Sequence, residues 1–312
     1  MNLVNPIQER VEETPDHICV CVCTYKRPQL LLRLLKGIEK QNSYGFFSFS
    51  AVVVDNDENR SAQSAVESFT KTSSLEVKYF LEPNQNISLA RNKTVAEAEG
   101  KYLAFIDDDE FPEESWLFHL YATCLKYKAH AVLGPVEPYY ESDPPEWVVK
   151  GRMCERDHFR TGTSISDPKY TRTGNVLLLK EICRERPGPF DPSRGRSGGE
   201  DHEFFAWMIE RGLTIFWCNE APVYESVPSE RLKRGYFLKR GLLRGGLNAK
   251  GRGLISFDTM KSLVAISLYS AALPLLAVLG HHLLMKYLIK SSDHAGKLLG
   301  RCGFILMRER TF

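Results

Sequence analysis

The chain has 312 residues, of which 43% are hydrophobic and 26% charged, with a formal net charge of +2. That length buries a full-sized core and fits one large α/β domain plus an appendage. The composition excludes a disordered chain and a generally basic, nucleic-acid-coating surface, so any charge bias has to be local.

The first residues, 1–16, are polar and acidic and lack a basic start followed by an apolar run, so no secretory signal is read there and a reducing compartment is expected. Residues 17–23 (HICVCVC) form a β-branched-rich strand pattern whose alternating Cys19, Cys21 and Cys23 place three thiols on one face. The eight cysteines show no zinc-site spacing and are expected to be free core thiols. Residues 30–40 have the spacing of an amphipathic helix and residues 51–54 (AVVV) read as a second strand, which completes a βαβ unit. A helix over 61–70, a strand over 77–81, a helix over 88–98 and a strand over 102–106 continue the alternation.

This order predicts an α/β fold built on a doubly wound parallel sheet, with ligands bound beyond the carboxyl ends of its strands. The polar runs that close the strands are therefore the candidate site: residues 24–28 (TYKRP), 55–59 (DNDEN), 83–86 (PNQN) and 107–110 (DDDE). Pro144, Pro145, Pro187, Pro189 and Pro192 mark irregular stretches in the second half.

Asp107, Asp108 and Asp109 leave a strand end together and repel one another unless a cation or donors compensate. Oxygen ligands favour Mg2+ or Mn2+, and such an ion bridging two phosphates offsets the charge that builds on a departing diphosphate. The competing reading is loop solvation, or caps for a helix entering at residues 112–116. Residues 198–205 (GGEDHEFF) put two glycines and a carboxylate pair at the start of an apolar helix; the plain alternative is an acidic N-terminus that satisfies the helix dipole. Two acidic centres in different surroundings suit a division of labour, one holding a metal and the other accepting a proton from an attacking hydroxyl.

Taken together, TYKRPQLL, VVVDNDEN, NQNISLARN, GKYLAFIDDDEFPEESWL, TGNVLLL and GGEDHEFFAWMIERG resemble the family-2 glycosyltransferases, which have the GT-A fold, over roughly residues 17–225. Within that family the chain is most similar to bacterial β-glucosyltransferases of exopolysaccharide assembly, the succinoglycan type. The resemblance implies that Thr24, Tyr25 and Arg27 with Asp55 and Asp57 frame the nucleoside, that Arg91 meets base or phosphate, and that Asp107, Asp108 and Asp109 bind ribose and metal. It makes Asp109 the leading metal ligand, with Asp107 beside it. It makes Asp201 the general base, with Glu200 as its competitor, in an inverting transfer from a nucleotide sugar. Asn175 is implied as a contact to donor sugar or acceptor, against a role as a turn residue; Trp147 is either a sugar-stacking face or a loop anchor. Many relatives carry Gly-Ser after the aspartate that closes the second strand, where this chain has Asn56, Asp57, Glu58 and Asn59. Uridine as the base and glucose as the sugar are implied by resemblance only.

Residues 262–285 form 24 consecutive positions without a formal charge when His281 and His282 are neutral, flanked on both sides by Lys and Arg and interrupted by Pro274 and Gly280. A bent, membrane-seated helical segment is expected, with residues 1–228 as the GT-A catalytic domain and 229–312 as a basic, hydrophobic, membrane-associating region. The rival is a buried helix pair; RNA binding is disfavoured because no RNA-reading aromatic motif accompanies the basic residues. A cytoplasmic face of the bacterial inner membrane and a polyprenyl-diphosphate-linked saccharide acceptor follow as expectations. A non-catalytic nucleotide-sugar-binding protein on the same fold is the alternative, and nucleotidyl transfer is set aside because TYKRPQLL is not a glycine-rich phosphate loop.

Overall fold

Both faces of the first strand are apolar, and each feeds a different core. In β1 (Asp16–Thr24), Ile18, Val20 and Val22 join Leu31, Leu34, Leu35 and Ile38 of α1 (Pro28–Glu39), while Cys19 and Cys21 join the opposite cluster with Phe204 and Phe205. A strand covered on both sides belongs to the interior of a layered α/β fold. The apolar residues of α1 recur at i, i+3, i+4 and i+7, and Pro28 opens the helix where a missing N–H costs nothing. The computed structural model describes residues 15–248 and 256–304. The polar start at residues 1–14 and the flanking Lys250, Arg252, Arg308 and Arg310 lie outside the described residues. All eight cysteines are free thiols.

The described residues divide into two compact units, one of residues 15–137 and 156–225, the other of residues 138–155, 226–248 and 256–304. In the first, β2 (Phe47–Asp55), α2 (Gln63–Thr70), β3 (Val77–Leu81), α3 (Ile87–Glu97) and β4 (Tyr102–Ile106) follow the expected alternation. α3 starts one residue early because Asn86 caps it, its side chain accepting from the Ser88 and Leu89 N–H groups. Next come β5 (Glu110–Pro112), α4 (Trp116–Tyr127), β6 (Ala131–Leu133), β8 (Asn175–Leu179), α7 (Glu200–Glu210), β9 (Ile215–Trp217) and β10 (Val223–Val227); β7 (Val136–Tyr140), α5 (Glu146–Lys150) and α6 (Lys180–Arg184) complete the described strands and α-helices before residue 228.

The main sheet has seven strands in the order β3-β2-β1-β4-β8-β6-β9. Its first four strands are parallel, but β8 runs antiparallel to both β4 and β6, so the sheet is mixed rather than wholly parallel. The reversal brings the start of β8 to the carboxyl end of β4, with Asn175 opposite Ile106, and so carries a second segment to the edge where the acidic run emerges. Pro112 does not enter a helix: it ends β5, an edge strand paired with β10, where a residue without an N–H is tolerated, and α4 begins only at Trp116.

The second unit contains α8 (Arg234–Asn248), α9 (Phe257–Leu279) and α10 (His281–Arg301). The helix continues through Pro274 and ends at Gly280, whose φ of 143° and ψ of 146° stop it, so the uncharged stretch 262–285 is divided between two helices. α8 and α10 touch backbone to backbone. A Cβ on Gly245 would stand 1.9 Å from the Asp293 carbonyl oxygen, and one on Gly296 would stand 2.0 Å from that of Leu242. Gly245→Ala is therefore expected to lower stability by about 1–3 kcal/mol through overpacking. Gly235→Ala on the same helix meets nothing within 4 Å and is expected to be neutral or mildly stabilising. Thermal unfolding of the two variants in detergent checks the contrast. Trp147 packs against Phe237 and His281 and is buried, which makes it an anchor within this unit and not an open sugar-stacking face.

Candidate functional site

Because β2, β1 and β4 are adjacent and parallel, Asp55, Thr24 and Ile106 end at one edge of the sheet, and the loops beyond them meet. Thr24 Oγ1 donates to Asp108 Oδ2 at 2.8 Å. Arg27 donates from one Nη1 to Asp108 Oδ1 and Asp109 Oδ2, both at 3.1 Å. The loop after β1 is thus pinned to the acidic run, with Tyr25 partly exposed on it and Lys26 held over the Tyr25 ring.

Asp55 has no exposure and is saturated by the fold: Oδ1 accepts from the Asp57 N–H, and Oδ2 from the Ala62 N–H and the Tyr79 hydroxyl. It shapes the loop after β2, its carboxylate held by groups of the fold where the resemblance implied a frame for the nucleoside. Asp57 is buried on that loop and accepts from the Asn59 N–H at 3.3 Å. Asn56 fastens the same loop to residues 82–86 through Glu82 O, Asn84 O and the Asn86 N–H.

Within the acidic run the three aspartates differ. Asp107 is 48% exposed at its side chain, whereas Asp108 and Asp109 are mostly buried. Burial, followed by the charges of Asp107, Asp108 and Glu225, pushes the Asp109 carboxyl up to about 6 against the pull of Arg27. Glu110 folds back, its N–H donating to Asp107 O and its Oε2 accepting the Asp107 N–H, both at 3.1 Å. It is buried, and burial together with Asp107 holds its carboxyl well above the usual range. The β5–β10 register sets Glu225 directly opposite Glu110, and Glu225 pairs with Arg156. Sequence reading assigned no role to Glu110, Glu225, Arg156 or Arg172; β5 has only three residues, too few to display a period.

The second acidic centre is built by α7. Gly198 and Gly199 take φ values of 89° and 92°, a region that glycine enters freely, and the chain turns there into the helix. Glu200 is buried and pairs through Oε1 with Arg91 Nη1, while its Oε2 has no partner among the described residues. Asp201 is partly exposed, with Oδ1 accepting from the His202 N–H at 2.7 Å. Arg91, buried on α3, also lies 3.6 Å through Nη2 from Asp107 Oδ1 and feels the charge of Asp201. One guanidinium thus spans both acidic centres, a place taken by carboxylates where base or phosphate was expected.

Asn175 stands apart. It has no exposure, accepts from Trp116 Nε1 and donates to the carbonyls of Pro135 and Ala221, all at 2.8 Å. It clamps the start of β8, neither as an open ligand contact nor as a turn residue. Among the described residues no group of three or more His, Cys, Asp or Glu is arranged to hold a metal ion. A cation that also takes phosphate and water oxygens needs only one or two carboxylates. The exposed Asp107 and the charge-crowded Asp109 fit that requirement.

The description of glycosyl transferase family 2 matches residues 19–184. The succinoglycan biosynthesis protein ExoM of Rhizobium meliloti (strain 1021) is 32% identical over 295 residues, covering 92% of this chain and 93% of that protein. The glycosyltransferase AglE of Haloferax volcanii is 27% identical over 191 residues, 61% of this chain and 60% of its own. Among solved structures, S. aureus TarS 1-349 in complex with UDP aligns with a TM-score of 0.54 at 16% identity, over 92% of this chain and 90% of that one. The TarS complex with UDP-GlcNAc gives the same TM-score at 15% identity. The chain belongs to glycosyl transferase family 2 and has the GT-A fold.

Proposed function

We propose that this glycosyltransferase is inverting and metal-dependent, and that it moves a hexose, glucose from UDP-glucose, to a lipid-linked saccharide in exopolysaccharide or cell-surface glycan synthesis. The observation that carries this reading is Arg91, which reaches Asp107 on one side and Glu200, next to Asp201, on the other. That bridge supports the reading in which both acidic centres address a single substrate pair. In this reading Thr24, Tyr25, Arg27 and Asp57 frame the nucleoside. Mg2+ or Mn2+, held by Asp109 and Asp107, would neutralise charge on the departing diphosphate. Asp201 takes the proton of the acceptor hydroxyl as its oxygen attacks the anomeric carbon; the bond to the diphosphate breaks on the opposite side, and the configuration inverts. Glu200 is the weaker candidate for base because it is buried and its Oε1 is paired with Arg91.

The nucleotide assignment draws on TarS, whose complexes hold UDP and UDP-GlcNAc, and the polysaccharide assignment on ExoM, a succinoglycan biosynthesis protein. Incubation with labelled nucleotide sugars and membranes tests both: label entering a lipid extract supports the reading, and label entering only free sugars or soluble protein overturns the lipid-linked acceptor.

A cation on Asp109 requires its carboxyl to be ionised. With its proton affinity raised to about 6, Asp109 contributes stability below about pH 4, where it is protonated in both states, and that contribution is lost as pH rises towards 6. Cation binding has the opposite sign. The thermal stabilisation given by Mn2+ with UDP is expected to fade as pH drops below about 6, and a thermal shift series from pH 5 to 8 reads it.

The membrane reading draws on α9, the one helix among the described residues long and apolar enough to cross a bilayer. Its Phe257, Met260, Leu268, Leu275 and Val278 are exposed. We place it in or on the cytoplasmic face of the inner membrane. Leu268→Glu with Leu275→Glu, at about 3 kcal/mol per charge in hydrocarbon, is expected to shift the protein from sedimenting with anionic vesicles to the supernatant. Unchanged sedimentation would rule the helix out as the anchor.

A further inference from the structure

Four arginines face the acidic centres, and three are already paired. Arg27 holds Asp108 and Asp109, Arg91 holds Glu200 and reaches Asp107, and Arg156 holds Glu225. Arg172 makes no hydrogen bond or ion pair with any described residue. Its position is nevertheless fixed. The antiparallel entry of β8 runs residues 171–174 back along the acidic run, so closely that a Cβ on Gly174 would stand 2.7 Å from Glu110 Oε1 and 3.2 Å from Asp107 Oδ2. The flanking Thr171 and Thr173 are buried, and Thr171 is tied through its hydroxyl and N–H to Pro168 O.

The Arg172 guanidinium thus lies partly buried in the fields of Glu110, Asp201 and Glu225, yet beyond 4 Å of each, and beside the like charge of Arg156. Burial and that like charge push it down to about 10, although it stays cationic at neutral pH. A desolvated cation held away from nearby carboxylates lowers stability until an anion arrives. The planar fork of guanidinium suits phosphate oxygens, which it meets with two parallel hydrogen bonds.

We propose that Arg172 is a diphosphate-binding residue of the transfer site, taking phosphate oxygens of a substrate diphosphate beside Asp201. This rests on the reading of the protein as a nucleotide-sugar transferase. Two substrates carry that chemistry: the nucleoside diphosphate of the donor and the diphosphate of a lipid-linked acceptor.

Calorimetry of the full chain in detergent with Mg2+, using UDP and uridine as probes, separates them. Absence of UDP binding by the wild type would sink the nucleotide reading itself and leave Arg172 to be decided on the acceptor. If the donor is the source, Arg172→Ala weakens UDP about tenfold or more and leaves uridine within about twofold, and Arg172→Lys recovers part of the loss. If the acceptor is the source, UDP affinity holds, while KM for a prenyl-diphosphate saccharide rises about tenfold and KM for the same saccharide without its diphosphate does not. The proposal is overturned if neither probe nor acceptor responds in a variant of wild-type melting temperature. It is equally overturned if UDP and uridine weaken together, the mark of a structural role that Lys would not relieve.

Discussion

Asp201→Asn is expected to lower kcat by about 10²- to 10⁴-fold, the range that a positioned general base contributes, while the Kd for UDP stays within about twofold. The substitution keeps the size of the side chain and its hydrogen bond to the His202 N–H, and removes only the capacity to take a proton. Among the described residues Asp201 makes no hydrogen bond or ion pair with Arg27 or the acidic run, so the donor side should be undisturbed. Single-turnover transfer and equilibrium binding read the two quantities separately. Equal loss of both would turn the assignment towards a binding or structural role, and with it the case for a non-catalytic protein on this fold. Glu200→Gln gives the contrast: its effect should reach stability first, because its partner is buried.

Arg91→Ala is expected to cost about 3–5 kcal/mol of stability, since it strands Glu200 as an uncompensated charge inside the protein. Both side chains are nearly inaccessible, at 9% and 4%, so solvent screens the pair little. Glu200→Gln in the Arg91→Ala background should recover much of the loss, because a neutral pair leaves no stranded charge. Urea denaturation of the four proteins in a double-mutant cycle gives the coupling; additive losses would show that the pair is not the source. Transfer should remain impaired in the rescued double variant, because Asp107 also loses its neighbour.

The half of the fold that repeats strand and helix was legible because each element is long enough to display its period. Residues 77–81 and 102–106 carry the observed bounds of β3 and β4. The reversed β8 was not legible: its NVLLL reads as a buried strand in either direction, and its pairing with β4 is decided by 68 intervening residues rather than by local pattern. The acidic centres stood out because charged residues follow apolar runs directly. Their partners did not, since Glu225 reaches Glu110 only through the short β5–β10 pairing, and Arg156 lies in an irregular stretch. Asn175 misled because a polar residue before an apolar strand looks exposed; three hydrogen bonds inside the fold explain its presence instead. The apolar C-terminal stretch was legible as composition, while its bend moved to Gly280 because a helix accommodates Pro274 more readily than a residue at φ 143°.

The paired glycines ahead of α7 set a boundary for anyone wishing to re-engineer acceptor choice. With both in left-handed backbone, any side chain at 198 or 199 is strained, by roughly 1–2 kcal/mol each. The point along the chain at which Asp201 emerges is therefore written into main-chain torsion angles. A mutant library that randomises the surroundings of Asp201 should leave those two positions untouched.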